Sequence, residues 1–488
     1  MASNRFQHLQ NWTNKHVFSS SLDYWNQELH DVPSYQDQRS GEVTESNQST
    51  LGGRLETIEE SAVSEEPKPG NEGENNLEAA EDGHGAASEP ISALQAAWNV
   101  TNAIQGMFIV GLPIAVKIGG WWSVAAMIAV AYVCYWTGLL LIECLYEDGA
   151  KKRRTYREIA DFYKPGFGKW VLAAQLTELL STCIIYLVLA ADLLQSCFPT
   201  VDKPGWMMIV SAALLTCSFL DDLQIVSRLS FFNAISHLIV NLIMVIYCLS
   251  FVSRWSISTI TWSLNINTLP TIVGMVVFGY TSHIFLPNLE GNMKNPSEFR
   301  VMLRWSHIAA AVFKVVFGIL GFLTFGELTQ QEISNSLPNQ SFKIVVNLIL
   351  VVKALLSYPL PFYAAVQLLK NNLFMGCPQT PFTSCYSPDK SLREWALTLR
   401  IILVLFTLFV ALSVPYLVEL MGLVGNITGT MLSFIWPALF HLHIKQKVLN
   451  NFDKRFDQGI IVMGCSVCIS GVYFSSMELL RAINSSES

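Results

Sequence analysis

The chain is short of charge. Only 14% of its 488 residues are Asp, Glu, Lys or Arg, while 51% are hydrophobic. An average soluble domain is about 25% charged, so the composition argues for a protein that faces lipid. Other absences narrow the function. The spans contain no His/Asp/Glu cluster with ligand spacing and no Ser/His/Asp arrangement, so neither enzyme chemistry nor a metal or other cofactor is expected. There is no phosphate-cradling glycine loop, which removes the support for ATP-driven transport. No repeated pore loop suggests a channel, and nothing points to nucleic acid. The ten cysteines follow no pairing pattern. Cys465 and Cys468 have redox or zinc spacing but no second Cys or His pair, and they sit in an apolar helix, so packing is the expected role. The first 90 residues hold no apolar run long enough for the core of a signal peptide, so none is expected.

What is present falls into two parts. Residues 1–91 carry 17 acidic and 5 basic side chains, a net charge of −12, leaving +5 on the rest. A tract such as SEEPKPGNEGENNLEAAEDGHG cannot bury enough apolar surface to offset its ordering entropy. The expectation is a disordered acidic cytosolic tail over 1–91 and a polytopic transmembrane domain over 92–488. A helical span needs about 20 mostly apolar residues. About eleven runs qualify: 92–118, 121–146, 168–197, 205–220, 223–252, 269–288, 300–326, 341–370, 393–414, 416–442 and 458–481. None shows the alternation of a barrel strand. The predicted class is an all-α protein of the bilayer.

Orientation follows from Lys and Arg. The 147–169 loop carries seven basic residues, and the 289–304, 371–393 and 443–457 loops on the same side are also basic. By the positive-inside rule that side is cytosolic. The N-terminus is then cytosolic and, with an odd number of spans, the C-terminus lumenal.

Two runs are poor helices in their middles. The first, SALQAAWNVTNAIQGMFIVGLPIAVKIGG, holds Asn99, Asn102, Gln105, Gly106, Gly111 and Pro113. The sixth places Gly279, Tyr280, Thr281, Ser282 and His283 in a row, then Pro287. These are matching positions if runs 1–5 and 6–10 are two repeats. Paired interrupted helices are the best pointer in a sequence to a transporter's binding site. Unwound backbone is tolerated at membrane depth only against protein, water or substrate, and a half-helix N-terminus suits a substrate carboxylate. The bland alternative is a pair of Gly/Pro kinks that serve packing.

The segments AWNVTNAIQGMFIVGLP, YTSHIFLPNLEGNMKNPSEF, KALLSYPLPFYAAV and LMGLVGNITGTMLSF resemble the amino acid/auxin permease family, and within it the vesicular inhibitory amino acid branch. The resemblance runs over about residues 92–480 and leaves the acidic tail out. It implies a leucine-transporter-like inverted repeat of spans 1–5 and 6–10 with one extra span. It implies loading of γ-aminobutyric acid and glycine into synaptic vesicles in exchange for protons, powered by a vacuolar ATPase; these residues leave chloride co-transport open. The substrate-binding residues expected are Asn99, Asn102, Gln105, Gly106, Phe108, Gly279, Tyr280, Thr281 and Ser282. Two other readings compete: a plasma-membrane or lysosomal neutral amino acid permease, and an amino-acid sensor of the same fold.

Ionisable side chains at membrane depth cost about 2.5–3.5 kcal/mol on insertion scales and are functional candidates by default. Glu178 is central in VLAAQLTELLSTCIIYLVLA, with Ser181, Thr182 and Tyr186 on its helix face. Apolar surroundings favour a carboxyl group's neutral form, which suits proton coupling; it could also pair with the substrate amine or with a neighbouring helix. His283 beside the second break could titrate; His237 more often would be a packing residue. In the fold implied, a coupling sodium can lie between spans one and eight, where Lys353 would supply the same charge. Lys314, one heptad after His307 and on about the same helix face, is a candidate for a structural or gating pair. Glu290, at the cytosolic end of span six, is a gate candidate or simply a solvated residue. Gly422, Gly425, Asn426, Thr428 and Gly429 form a small polar face that could be packing surface or a site wall.

Overall fold

The computed structural model describes residues 92–219, 223–262, 265–374, 385 and 393–487. The chain divides into units Met1–Pro90 and Ile91–Ser488; the first, and with it the expected acidic tail, lies outside the described residues.

The second unit is almost entirely helical. Helix α1 (Ala93–Gln105) stops at Gly106, and a tight 3-10 turn (Met107–Gly111) leads into α2 (Leu112–Glu143). Helix α2 holds a kink at Gly120, whose φ of 52° lies in the left-handed region. Only glycine fits there, because a Cβ would run into the Thr261 carbonyl, which instead accepts from Trp121 N–H at 3.0 Å. The short hairpin β1 (Tyr146–Glu147) and β2 (Ala150–Lys151) follows, then α3 (Tyr156–Tyr163), capped by the Thr155 hydroxyl. Helices α4 (Gly168–Cys197), α5 (Lys203–Leu214) and α6 (Leu223–Leu249) complete the first half. The second half opens with α7 (Leu269–Tyr280), a break, and the short α8 (Leu286–Gly291). It continues with α9 (Phe299–Phe325), α10 (Gln340–Ser357), α11 (Pro359–Leu373) and α12 (Glu394–Ser413). It ends with α13 (Leu417–Val424), two π-helical turns (Gly425–Gly429 and Met431–Ile435), α14 (Trp436–Ile444) and α15 (Asn451–Glu487).

Among the described residues eight helical stretches are long and apolar enough to cross a membrane, and Leu269–Tyr280 is a shorter apolar helix. That tally is below the eleven runs of the sequence for a physical reason. The first run is cut at Gly106, with its second half merged into the following helix, and the sixth is cut after Tyr280. The 205–220 run forms only a 12-residue α-helix followed by a 3-10 turn.

Helix α2 packs along α9, α4 along α10, and α7 against α13 and α2. The α7–α13 contact is very close. A Cβ at Gly425 would collide with the Gly274 carbonyl, and one at Gly422 would meet Thr271. Large apolar side chains such as Ile128, Leu242, Val312, Phe409 and Ile469 are exposed on the outer helices, as a lipid-facing surface requires.

Candidate functional site

The two breaks form as the sequence predicts. At the first, Gly106 adopts φ 30° and ψ −173°, a conformation that L-residues other than glycine rarely take. At the second, Thr281 turns out of the helix at φ −67° and ψ 98°. The chain resumes a helix only at Leu286, with Pro287 in its first turn.

Each break exposes the C-terminal end of a half-helix, whose carbonyls carry partial negative charge. A buried lysine answers each of them. Lys353, from α10, donates to the Gly106 carbonyl at 3.2 Å and touches His237 Nδ1 of α6. Lys314, from α9, donates to the Gly279 carbonyl at 2.6 Å and lies 3.8 Å above the Tyr280 ring. A cation over an aromatic face in a desolvated site is attracted by the ring quadrupole. Lys314 therefore does not pair with His307, whose Nδ1 is 3.0 Å from the Leu303 carbonyl of its own helix.

Phe108 fills the space beside the breaks. It stacks on Tyr186 of α4 at 5.6 Å and meets Phe278 of α7 edge-on at 4.7 Å. Phe108, Met275, Gly279, Tyr280 and Lys314 line a crevice of about 10 Å³, room for about one water molecule. Four buried polar atoms at the breaks have no hydrogen-bond partner among the described residues: Gln105 Oε1, Tyr280 Oη, Ser282 Oγ and His283 Nδ1. Unpaired buried polar atoms are uncommon and costly, so these are candidates to bind a polar ligand. The side chains of Asn99 and Asn102 lie outside the described residues.

Glu178 is buried on the wall of the second break. The Thr428 hydroxyl donates to its carboxylate, and the Thr281 hydroxyl also bonds to it. The carboxyl thus ties α4 to the break and to the π-helical turn. Thr182 instead bonds back to the Glu178 carbonyl, so the face predicted around Glu178 divides: Tyr186 serves the site and Thr182 its own helix. The small polar face after α13 divides in the same way. Its glycines are packing surface against α7, whereas Thr428 faces the carboxylate.

His283 is buried and points at α2, with Nε2 3.0 Å from Thr137 Oγ1. The Thr137 hydroxyl also lies 2.8 Å from the Val133 carbonyl. His283 Nδ1 has no partner among the described residues.

Glu290 is 1% exposed, which excludes the solvated-residue reading. Lys151 Nζ lies 2.5 Å from it, and the Tyr146 hydroxyl donates to its other oxygen. Burial first, and the neighbouring Glu290 second, push the Tyr146 phenol well above its usual range. Lys445 in turn donates to the Tyr146 carbonyl at 2.7 Å. The hairpin thus clamps the far end of the second broken helix. The sequence gives no signal for this clamp, because Tyr146 and Lys151 lie in a loop about 140 residues from their partner.

Residues 89–477 match the family model described as transmembrane amino acid transporter protein. The chain belongs to that family. It is a membrane transporter and not an enzyme. It is 86% identical to the vesicular GABA transporter of Caenorhabditis elegans over 488 residues, all of both chains. It is 43% identical to the vesicular inhibitory amino acid transporter of Homo sapiens over 404 residues, 80% of this chain and 77% of the relative. Among solved structures, the inward-facing conformation of Mhp1 aligns with a TM-score of 0.46 at 11% identity, covering 84% of this chain and 96% of that one.

Proposed function

We propose that this transporter loads γ-aminobutyric acid and glycine into synaptic vesicles in exchange for protons, drawing on the gradient of a vacuolar ATPase. The N-terminus faces the cytosol and the C-terminus the lumen. The observation that carries the reading is the pair of helix breaks, each bordered by buried polar groups that lack partners, in a chain so similar to a vesicular GABA transporter. A zwitterionic amino acid has one cationic and one anionic end. The break region offers both complements: Lys353 and Lys314 for the carboxylate, and Glu178 for the ammonium group or for the exchanged proton. Gln105, Gly106, Phe108, Gly279, Tyr280, Thr281 and Ser282 surround the substrate, with Asn99 and Asn102 on the same helix. His283 is a second proton-coupling residue. Lys353 takes the place of a coupling cation, and Glu290 closes the cytosolic end.

Exchange of a zwitterion for a proton moves one charge. One pH unit then supplies about 1.36 kcal/mol, a tenfold accumulation, and about 100 mV adds roughly 2.3 kcal/mol. The test is uptake into proteoliposomes with pH gradient, potential and chloride varied independently. Uptake of γ-aminobutyric acid that rises with both gradients supports the reading. Uptake indifferent to the pH gradient overturns proton exchange. Binding without net flux points to a sensor, and preference for other neutral amino acids points to a general permease.

A further inference from the structure

The segment between α9 and α10 is a loop that behaves as core. Thr329, Glu332, Ile333, Ser334 and Leu337 in it are all buried. Its carbonyls at Glu327 and Thr329 accept from Lys117 of α2, at 2.5 and 3.3 Å. The Gln331 carbonyl lies against Gly111, in the turn that follows the first break. Ile333 packs on Gly321 of α9. The loop therefore rests on the second half of the first broken helix, at the end remote from the Glu290 clamp.

Glu332 is 5% exposed. One of its oxygens accepts from Asn335 at 3.0 Å, and Asn335 accepts in turn from Asn347 of α10 at 2.8 Å. Its other oxygen, Oε1, has no partner among the described residues. The charged groups that face it are Asp192 of α4 and Lys203 at the start of α5. That lysine is already engaged: it lies 2.6 Å from Asp192 and donates to the Pro415 carbonyl at 2.6 Å, and Glu419 of α13 also acts on it. One shared cation thus serves several carboxyl groups, and Glu332 is left with a bare oxygen in a desolvated place. A buried carboxylate in that position resolves its cost by taking up a proton.

We infer that Glu332 is a proton-binding residue: the 326–337 segment docks on the first broken helix with this carboxyl protonated, and releases when the carboxyl ionises. Burial first, then the nearby Asp192 carboxylate, push the Glu332 carboxyl up from 4.5 to about 7. A carboxyl raised in the docked form favours docking at low pH. The advantage is complete below about 4.5, shrinks as pH rises through about 7, and is flat above that. Between pH 5.5 and 8 the docking constant falls by an amount on the order of tenfold or more. The role of this site in the cycle rests on the proton-exchange reading. Closing of the lumenal side would take up a lumenal proton, so an acidic lumen would drive that end shut.

The experiment is hydrogen–deuterium exchange on the full chain in lipid nanodiscs, at pH 5.5 and pH 8, corrected for intrinsic exchange rates. In the wild type, peptides covering 326–337 should lose at least tenfold in protection at the higher pH. Glu332→Gln should remain protected at both. Asp192→Asn, which removes the neighbouring carboxylate and frees Lys203, should shift the transition to lower pH. Flat protection in the wild type, or a Glu332→Gln variant that follows it, overturns the inference. Uptake by the same variants reconstituted into proteoliposomes separates the two readings. Gradient-driven uptake with flat protection sinks the Glu332 inference alone. Gradient-independent uptake with pH-dependent protection supports the inference and sinks proton exchange.

Discussion

The clamp on Glu290 gives a quantitative test of gating. Glu290 is 1% exposed, and Lys151, 27% exposed at its side chain, approaches it to 2.5 Å. Breaking a fully buried ion pair costs about 3–5 kcal/mol, and an exposed pair is worth about 0–1 kcal/mol. With one buried and one partly exposed partner, and with Tyr146 still donating, Lys151→Ala should cost about 2 kcal/mol. If that energy holds the end of α8 shut, its loss raises the open population roughly 30-fold. Ser282, buried at the second break, supplies the probe. In a Ser282→Cys background, Lys151→Ala should raise the rate of modification by a thiol reagent by roughly 10–30-fold. Glu290→Gln should raise it less, because the amide keeps an acceptor for Tyr146. The double variant should be no faster than Lys151→Ala alone. Additive effects within about 0.5 kcal/mol would show that the two side chains do not communicate; an unchanged labelling rate would refute gating, even if the unfolding temperature dropped.

Other consequences are open to direct measurement. Glu178→Gln keeps hydrogen bonding to Thr428 and Thr281 but cannot ionise, so gradient-driven uptake should be lost; normal gradient-driven uptake would remove Glu178 from the coupling role. Lys353→Met leaves the Gly106 carbonyl unanswered, at about 1–3 kcal/mol, and should weaken substrate affinity about tenfold or more by equilibrium binding; unchanged affinity would leave the lysine a packing role only. Gly425→Ala drives a methyl group into the Gly274 carbonyl and should destabilise by about 3 kcal/mol; an unfolding temperature equal to the wild type would contradict the close α7–α13 contact.

The breaks were legible in the sequence because their causes are local. Glycine at 106, and Gly279 through Pro287, weaken a helix whatever surrounds them. The burial of Glu178, Lys314 and Lys353 was legible too, because their flanks are apolar. What each charge faces was not, since that is fixed by which helices pack together. The implied fold places Lys353 beside span one, but nothing in VVKALLSYPLPF says that it also meets His237. The heptad between His307 and Lys314 suggested a partnership along one helix, but seven residues span about 10 Å, and a nearer carbonyl was available at the break of α7. The helix tally suffered from the same interruption that marks the candidate site: a broken run no longer forms one long helix.

The charges around the breaks are related in a way that neither helix shows alone. If the first five runs and the next five are matching halves, α4 in the first corresponds to α10 in the second, and α1 corresponds to α7 with α8. Helix α10 presents Lys353 to the break of the first half. Helix α4 presents Glu178 to Thr281 in the break of the second. Corresponding helices thus bring opposite charges to the two breaks, Lys314 of α9 adds a second ammonium at the later one, and the two breaks are not interchangeable. On the proposed function, a lone ammonium at the first break and a carboxyl group beside an ammonium at the second would define a direction across the site. A zwitterion can align with that direction, whereas a molecule with a single charge satisfies only one end. The helix break is the symmetric part of the device and the charge is the asymmetric part. Exchanging the signs, with Glu178→Lys and Lys353→Glu in one chain, would reverse the preferred direction while keeping the net charge. On the proposed function, selectivity for an amino acid would come from the asymmetry, and the room to admit one from the unwound backbone.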